Sequence, residues 1–383
     1  MKILLIDSAE FLTETNPNEG SFTFDQAKII KNNYNVDIFS PGVYSYKDIF
    51  KKKNYKKFEI KDGIKIYRKY QKNLIPYSLN FLNPLLVSAI ERISLELFEE
   101  YLQKNKVPNL IHAHKIRFSA FAAYAIHRKY KIPYIITEHN SDVIRNIFPL
   151  SLKKKTKKII LDSKNFNTVS KLNSVKLKNY FNLKHVDILY NPLPKIFVNN
   201  SLKNNISKKN YNFLSVTRMD MNKNVKILID AFIENFYDSK TVLNIVGGGP
   251  MINKYKKYVI KKKMHKKIKI FGFLTRKKIL KLYKECDCFV IPSHKETFCL
   301  SLMESLLFKN YCITSRHSGY YELKNKNVIL PNFNSKNKSQ LKNLMKKGYN
   351  NNLKFNYRKI ILRHFGEKKF LKKINKMYLN LEK

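Results

Sequence analysis

The stretch IPSHKETFCLSLMESLLFKNYCITS, Ile291 to Ser315, is apolar almost throughout, yet it carries two glutamates, Glu296 and Glu304. By pattern, CFVIPS is a buried strand ending at Ser293, a loop follows, the next segment is helical, and YCITS is a second buried strand. Asn310 is expected to stop the helix in the left-handed conformation. Glu296 then falls in the loop at the carboxyl end of a strand, and Glu304 one to two turns inside the helix. Plainer readings exist for both: Ser301-x-x-Glu304 fits a capping box, and Glu296 fits a first-turn charge favoured by the helix dipole.

Outward from this stretch, short runs of Ile, Val, Leu and Phe alternate with longer amphipathic segments, the pattern of βαβ units around a parallel sheet. The first half offers KILLID, VDIFS, IKIYR, LIHAH, YIITEH, FNTVS and VDILY as strands. The second half restarts with NFLSVTR, TVLNIVGGG, IKIFGF, CFVIPS and YCITS. Between them lies a stretch rich in Asn, Lys and Pro without periodicity, read as a linker. The expected organisation is α/β: a first Rossmann-like domain over 1–198, a linker over 199–210, a second Rossmann-like domain over 211–357, and closing helices over 358–383. A chain of 383 residues, 44% hydrophobic, is long enough for two cores.

Lys and Arg total 75 against 28 Asp and Glu, a formal charge of +47, which suits an anionic partner. Lysine and asparagine fill surface positions everywhere, so much of this charge reads as residue usage on solvated faces. The four cysteines, Cys286, Cys288, Cys299 and Cys312, lack a paired CxxC spacing and read as reduced core residues of a cytosolic protein, with no disulfide and no zinc site. The N-terminus starts directly on a strand pattern without a signal-peptide core, and no apolar run suits a membrane span.

In an open parallel sheet, ligands bind beyond the carboxyl ends of strands. Arg218 and Lys223 follow NFLSVTR, where their charges could meet phosphate oxygens; they could equally be two more solvated cations. Gly247, Gly248 and Gly249 form a tight turn after the next strand, a weak signal since the run is neither GxGxxG nor a Walker loop. His112 and His114 alternate along LIHAH and are expected on opposite faces, with His114 the one nearer a crevice.

The ordered set RMDMNK, NIVGGGP, FGFLTRKKILKLYKECDCFVIPS, E-x7-E and SGYYE resembles the carboxyl-terminal half of the family 4 glycosyltransferases, retaining enzymes of the GT-B fold. NPNEGSFTFDQAKII, LIHAH, YIITEHNSD, NTVSKLN, LYNPL and the tail RHFGEKKFLKKINKMYLNL resemble its other landmarks. The resemblance implies two Rossmann-like domains facing across a cleft, a C-terminal helix crossing back to the first, and a donor site between them. Arg218 and Lys223 would hold the diphosphate, Glu296 would face the transferred sugar, and Glu304 would accept hydrogen bonds from the ribose. Ser293 and the backbone of Phe298, Cys299 and Leu300 would line the sugar and phosphate, Gly248 would approach the donor, and Gly272 and Phe273 would bracket the base. From the first domain, His139 would lie near the reacting sugar and Gly20 would approach the phosphates. The chain departs from the family at Asn224, Thr297, Cys299, Lys309 and Ser318, where glycines are usual, and at Tyr311 and Tyr321, where prolines are.

The activity implied is transfer of a sugar from a UDP- or GDP-sugar, with retention and without metal or cofactor, to a glycan or lipid-linked acceptor, in surface polysaccharide or glycolipid biosynthesis. The acceptor belongs to the first domain, where the apolar stretch 73–90 and the basic stretch 151–160 could dock on an anionic membrane at the inner face. Rival readings are a sugar-nucleotide epimerase or hydrolase of the same fold, a degenerate binding homologue, and a basic nucleic-acid-binding protein. Against the last, the basic residues spread along the whole chain and no nucleic-acid motif appears, so no specific nucleic acid is expected.

Overall fold

The computed structural model describes residues 1–8, 11–13, 19–44, 55–72, 80–200 and 210–379. Residues 16–18 of the early glycine loop, 73–79 of the apolar stretch and 201–209 of the linker lie outside the described residues. The chain forms two compact units, Met1–Pro192 with Phe370–Lys383, and Leu193–Lys369.

The first unit runs β1 (Lys2–Ile6), α1 (Ser21–Ile30), β2 (Asn35–Val43), β3 (Phe58–Lys61), β4 (Ile64–Gln71) and α2 (Asn83–Leu102). It continues with β5 (Leu110–His114), α3 (Ser119–Tyr130), β6 (Tyr134–Glu138), α4 (Leu150–Asp162), β7 (Asn165–Thr168), α5 (Lys171–Phe181) and β8 (Asp187–Ile188). The strands lie in the order β3-β4-β2-β1-β5-β6-β7-β8, parallel except for β3 against β4. KILLI is buried on both faces of β1, as the middle of a helix-covered parallel sheet requires.

β3 and its hairpin were not among the expected strands. FEIK is an edge strand with little buried surface, so it has no apolar run to betray it. The turn does: Asp62 and Gly63 both take positive φ (50° and 71°), which a two-residue hairpin of this kind demands.

The second unit holds α6 (Lys195–Asn199), β9 (Tyr211–Val216), α7 (Val225–Phe236), β10 (Thr241–Val246), α8 (Ile252–Lys261), β11 (Ile268–Gly272) and α9 (Arg276–Glu285). After these come β12 (Cys288–Ile291), α10 (Leu300–Leu306), β13 (Tyr311–Ser315), α11 (Ser318–Lys324), β14 (Asn332–Phe333), α12 (Lys338–Asn351) and α13 (Arg358–Phe365). Its six strands are all parallel, in the order β11-β10-β9-β12-β13-β14. This is the doubly wound order, with the switch point between β9 and β12.

Residues 193–198 and 358–369, assigned by sequence to the first domain and the returning tail, group with the second unit. Packing explains it: Phe197 sits edge-on to Tyr283 with centroids 5.4 Å apart, and Phe365 does the same to Phe298 at 5.3 Å. The last helix, α14 (Glu367–Leu379), returns to the first unit from Phe370 onward. Its Phe370, Ile374 and Tyr378, four apart on one stripe, pack with Ile3, Leu5, Phe24 and Leu110. Each such side chain contributes about 1.5–3 kcal/mol on burial.

The two faces of the first sheet explain a correction. His112 and His114 do not face opposite sides: their rings stack with centroids 4.3 Å apart. Strand side chains repeat every two residues, so positions i and i+2 share a face, and it is the intervening Ala113 that joins the opposite core.

Among the described residues no helix is long and apolar enough to cross a membrane. All four cysteines are buried and unbridged.

Candidate functional site

In the second unit, site residues gather at the carboxyl ends of β9, β10, β11 and β12. Asp220 caps a 3-10 turn over Met221–Lys223, its Oδ1 accepting from the Lys223 backbone N–H at 3.1 Å. Asn222 then zips that turn to the loop after β12. Its Nδ2 donates to the Lys295 carbonyl at 2.9 Å, its Oδ1 accepts from the Lys295 N–H at 3.2 Å, and its carbonyl accepts from the His294 N–H at 2.8 Å. This brace brings Lys223 Nζ to 2.7 Å from Glu296 Oε1, across the switch point of the sheet. Ser293 Oγ donates to the same oxygen at 2.7 Å.

Burial works to raise the Glu296 pKa, but the Lys223 charge, aided by His317 and the Ser293 hydroxyl, outweighs it and holds the carboxyl below the usual range. Burial likewise works to lower the Lys223 pKa, and Glu296 more than compensates. Both groups are therefore charged at neutral pH. His317, absent from the residues read from sequence, completes the cluster. It caps α11, its Nδ1 accepting from the Tyr320 N–H at 3.4 Å while its Nε2 pairs with Thr314 Oγ1 at 2.9 Å. Burial pushes its pKa down to about 4, with Glu296 opposing and Lys223 assisting, so the ring is neutral.

Arg218 does not join this pair. It is largely exposed and turns to Asp220, its Nε 3.5 Å from Oδ2. The glycine turn packs tightly against the backbone on either side of Arg218: a Cβ on Gly247 would lie 2.0 Å from the Thr217 carbonyl oxygen, and one on Gly249 2.5 Å from that of Met219. Both adopt φ beyond 130°. A Cβ on Gly248 would lie 2.2 Å from the Phe273 ring, and the Gly272 carbonyl accepts from the Gly247 N–H at 2.8 Å. Gly248, Gly272 and Phe273 are thus one contiguous surface.

The two glutamates of the opening stretch take different partners. Glu304 is buried on α10, where its Oε2 accepts from Tyr283 Oη at 2.9 Å. Ser301 is not the cap expected of it: α10 starts at Leu300, and its N-cap is Cys299 in the left-handed conformation, φ 67°. Asn310 is not the left-handed stop either; that residue is Lys309, φ 57°. Asn224 is also left-handed, at φ 49°. Three positions where the resembled family has glycine therefore keep a glycine-like backbone with a side chain added.

The first unit carries its own cluster at the carboxyl ends of β1, β5 and β6. Lys115, left-handed at φ 86°, donates from a buried Nζ to Asp7 Oδ1 at 2.7 Å and reaches Glu19 Oε1 at 3.3 Å. Thr23 Oγ1 donates to Asp7 Oδ2 at 2.7 Å, and a Cβ on Gly20, itself at φ 74°, would lie 3.2 Å from that oxygen. β1 and β5 flank the switch point of this sheet, so each unit holds a buried Lys–carboxylate pair at the same topological place. Sequence reading missed Asp7 and Lys115, although both sit one residue past a strand end.

Three histidines lie beside that pair. Tyr378 Oη pairs with His112 Nδ1 at 2.8 Å, and His112 Nε2 with Thr137 Oγ1 at 2.6 Å. The Thr137 hydroxyl proton goes to Asn167 Oδ1, so His112 carries its proton on Nε2 and accepts from Tyr378. His114 Nδ1 and His139 Nε2 share a hydrogen bond of 3.0 Å, and Phe22 covers His139 with ring centroids 4.4 Å apart. Burial first, and then neighbouring imidazoles and Lys115, hold His112, His114 and His139 well below the usual histidine pKa.

Residues 199–361 match the family Glycosyl transferases group 1. The match lies wholly within the second unit, Leu193–Lys369. Its Lys223–Glu296 pair, glycine turn and Glu304 all fall within the matched segment. Among curated relatives, the chain aligns with TuaC of Bacillus subtilis (strain 168), whose name assigns it to teichuronic acid biosynthesis as a glycosyltransferase, at 31% identity over 157 residues. That match covers 39% of this chain and 38% of TuaC. An uncharacterized glycosyltransferase of Methanocaldococcus jannaschii is 27% identical over 221 residues, 56% of this chain and 58% of that protein. The matches thus span less than two thirds of either relative.

Solved structures extend the likeness to the whole chain. Sucrose-phosphate synthase from Thermosynechococcus elongatus superposes with a TM-score of 0.79 at 16% identity, covering 100% of this chain and 99% of its own. Anabaena HepE, solved in complex with UDP and glucose, gives 0.73 at 15% identity, covering 99% of each chain. At such identity the likeness shows the fold: the chain has the GT-B fold read from its motifs.

Proposed function

We propose that the protein transfers a sugar from a nucleoside-diphosphate sugar, UDP or GDP, to a glycan or lipid-linked acceptor, with retention at the anomeric carbon and without a metal. The observation that carries this reading is the charged Lys223–Glu296 pair, held by Asn222 and Ser293 at the switch point of the unit that holds the family match. The donor class is favoured by HepE having been solved with UDP and with UDP-glucose. A polysaccharide pathway is favoured by the name of TuaC.

In the reaction, the bond from the anomeric carbon to the diphosphate oxygen breaks, the acceptor oxygen bonds to that carbon, and the acceptor proton passes to the departing diphosphate. Lys223 and Arg218 are assigned the growing diphosphate charge, where fixed cations act without reorganising. Glu296 is assigned the sugar face, and Ser293 and Lys223 keep it ionised. Glu304 is assigned the ribose hydroxyls. Gly248, Gly272 and Phe273 offer a surface of bare backbone and ring for the base, and Phe298, Cys299 and Leu300 the approach to the sugar. From the first unit, His139 is assigned to the sugar and Gly20 to the phosphates, while the acceptor is assigned to that unit.

A thermal-shift screen against UDP, GDP, ADP and their sugar conjugates tests the reading, since a ligand that binds only the folded state raises its stability. One nucleotide should raise the melting temperature, and Arg218→Ala and Lys223→Ala should diminish that rise. Cooperative melting with no shift from any nucleotide would overturn it. Release of free sugar or an epimer without acceptor would favour the hydrolase or epimerase reading instead.

A further inference from the structure

One corner of the first unit brings together exposed apolar side chains and a run of lysines. Arg117 stitches it together: its Nη2 donates to Asn83 Oδ1 at the start of α2 at 3.0 Å, and its Nη1 lies 4.0 Å from Asp142 in the loop before α4. Four large apolar side chains stand out to solvent there. Phe81 and Leu85, one helical turn apart, are 71% and 58% exposed, and Ile147 and Leu150 are 49% and 76% exposed.

α4 continues this corner with charge. Its buried side is Leu152, Thr156, Ile159 and Ile160. Its exposed side runs Leu150, Lys154, Lys158 and Leu161, at i, i+4, i+8 and i+11 on one stripe. The helix holds five lysines and no acid until Asp162. Of the other lysines, Lys155 is tied to Glu91 at 2.7 Å and Lys153 lies 4.5 Å over the Tyr180 ring.

We propose that this corner docks on an anionic membrane surface, with Phe81, Leu85, Ile147 and Leu150 entering the boundary between headgroups and acyl chains, and Lys154 and Lys158 on the headgroups. A lipid interface rewards both halves of the feature at once, since apolar tips leave water while lysines, their stems lying along the apolar surface, meet anionic charge. Nucleic acid would meet the lysines and leave Leu85, Ile147 and Leu150 in water. The proposal is independent of the transferase reading, because vesicle binding needs neither donor nor acceptor.

The diffuse charge of +47 would adsorb to any anionic surface, so the test must separate place from total charge. The full chain is sedimented with vesicles of phosphatidylcholine alone and with about one third phosphatidylglycerol, in roughly 0.1 M salt to screen long-range attraction. Two variants change the corner, Leu85→Ser with Leu150→Ser, and Lys154→Glu with Lys158→Glu. A third, Lys254→Glu with Lys257→Glu on α8, makes the same charge change on exposed positions of the other unit. The wild type should bind the anionic vesicles, each corner variant should bind about ten-fold or more weakly, and the α8 variant should lose much less. Equal losses for both lysine pairs, unchanged binding of the serine variant, or no binding by the wild type would each overturn the proposal. All three variants should melt as the wild type does, since every changed residue is exposed.

Discussion

Lys223 Nζ and Glu296 Oε1 lie 2.7 Å apart, one at the end of a turn after β9 and the other in the loop after β12, both largely withdrawn from water. Neither charge is affordable there without the other. Lys223→Ala should therefore cost the second unit about 3 kcal/mol, because it strands a buried carboxylate. The double variant Lys223→Ala with Glu296→Ala should recover part of that loss, and denaturant melts of all three proteins would measure the coupling. Additive losses would mean the pair is not energetically linked.

The same pair sets a pH dependence. The Glu296 carboxyl lies below its ordinary value of 4.5, so its contribution is fully present above that value and is lost as pH falls through the lower, folded-state value. Acid unfolding of the wild type should be steeper below about pH 4.5 than that of Glu296→Gln, read from melts across an acid series.

Glu138 works in the opposite direction. Burial raises its pKa to about 8, against backbone N–H groups of Ile116 and Asn140 that favour the charged form. A raised carboxyl stabilises the fold below the unfolded value and loses that contribution as pH rises through the folded one. The first unit should lose up to about 5 kcal/mol relative to its acid-side optimum between about pH 4.5 and 8, and Glu138→Gln should flatten that slope.

Glu304→Gln retains an acceptor for the Tyr283 hydroxyl and drops the charge, whereas Glu304→Ala removes both. If Glu304 serves the nucleotide, both variants should bind it more weakly. Only the alanine variant should also melt lower, by about 1–2 kcal/mol. Unchanged affinity in both would sink the ribose assignment.

Lys309 is exposed and left-handed, where an L side chain is strained. Lys309→Gly should stabilise the protein by about 0.5–1 kcal/mol in a chemical denaturation series. The same change at Cys299 would also enlarge the space before α10, so its effect on ligand binding should exceed its effect on melting.

The central parallel strands were legible because both faces of each are buried, leaving unbroken apolar runs such as KILLI and CFVI. FEIK escaped because it is exposed, although Asp62-Gly63 announced its turn. Helix ends were misplaced where backbone conformation ran against residue type: nothing about Cys299 or Lys309 advertises a left-handed residue. The stacking of His112 on His114 was legible and was misjudged by an error of period. The pairing of Asp7 with Lys115 was not legible, since no local spacing links residues on separate strands; only the switch-point rule could have joined them. Lys223 and Glu296 were found as separate candidates, and it took the Asn222 brace to show that they meet.

The return of α14 also sets an order of assembly. Ile3 and Leu5 are made long before residues 370 to 378, yet part of their cover, and the hydroxyl that bonds His112 Nδ1, arrive on those residues. During synthesis the second unit can fold while one side of the first unit's sheet is still only partly covered, by α1 without α14. A strand made before the whole second unit is thus finished only after it.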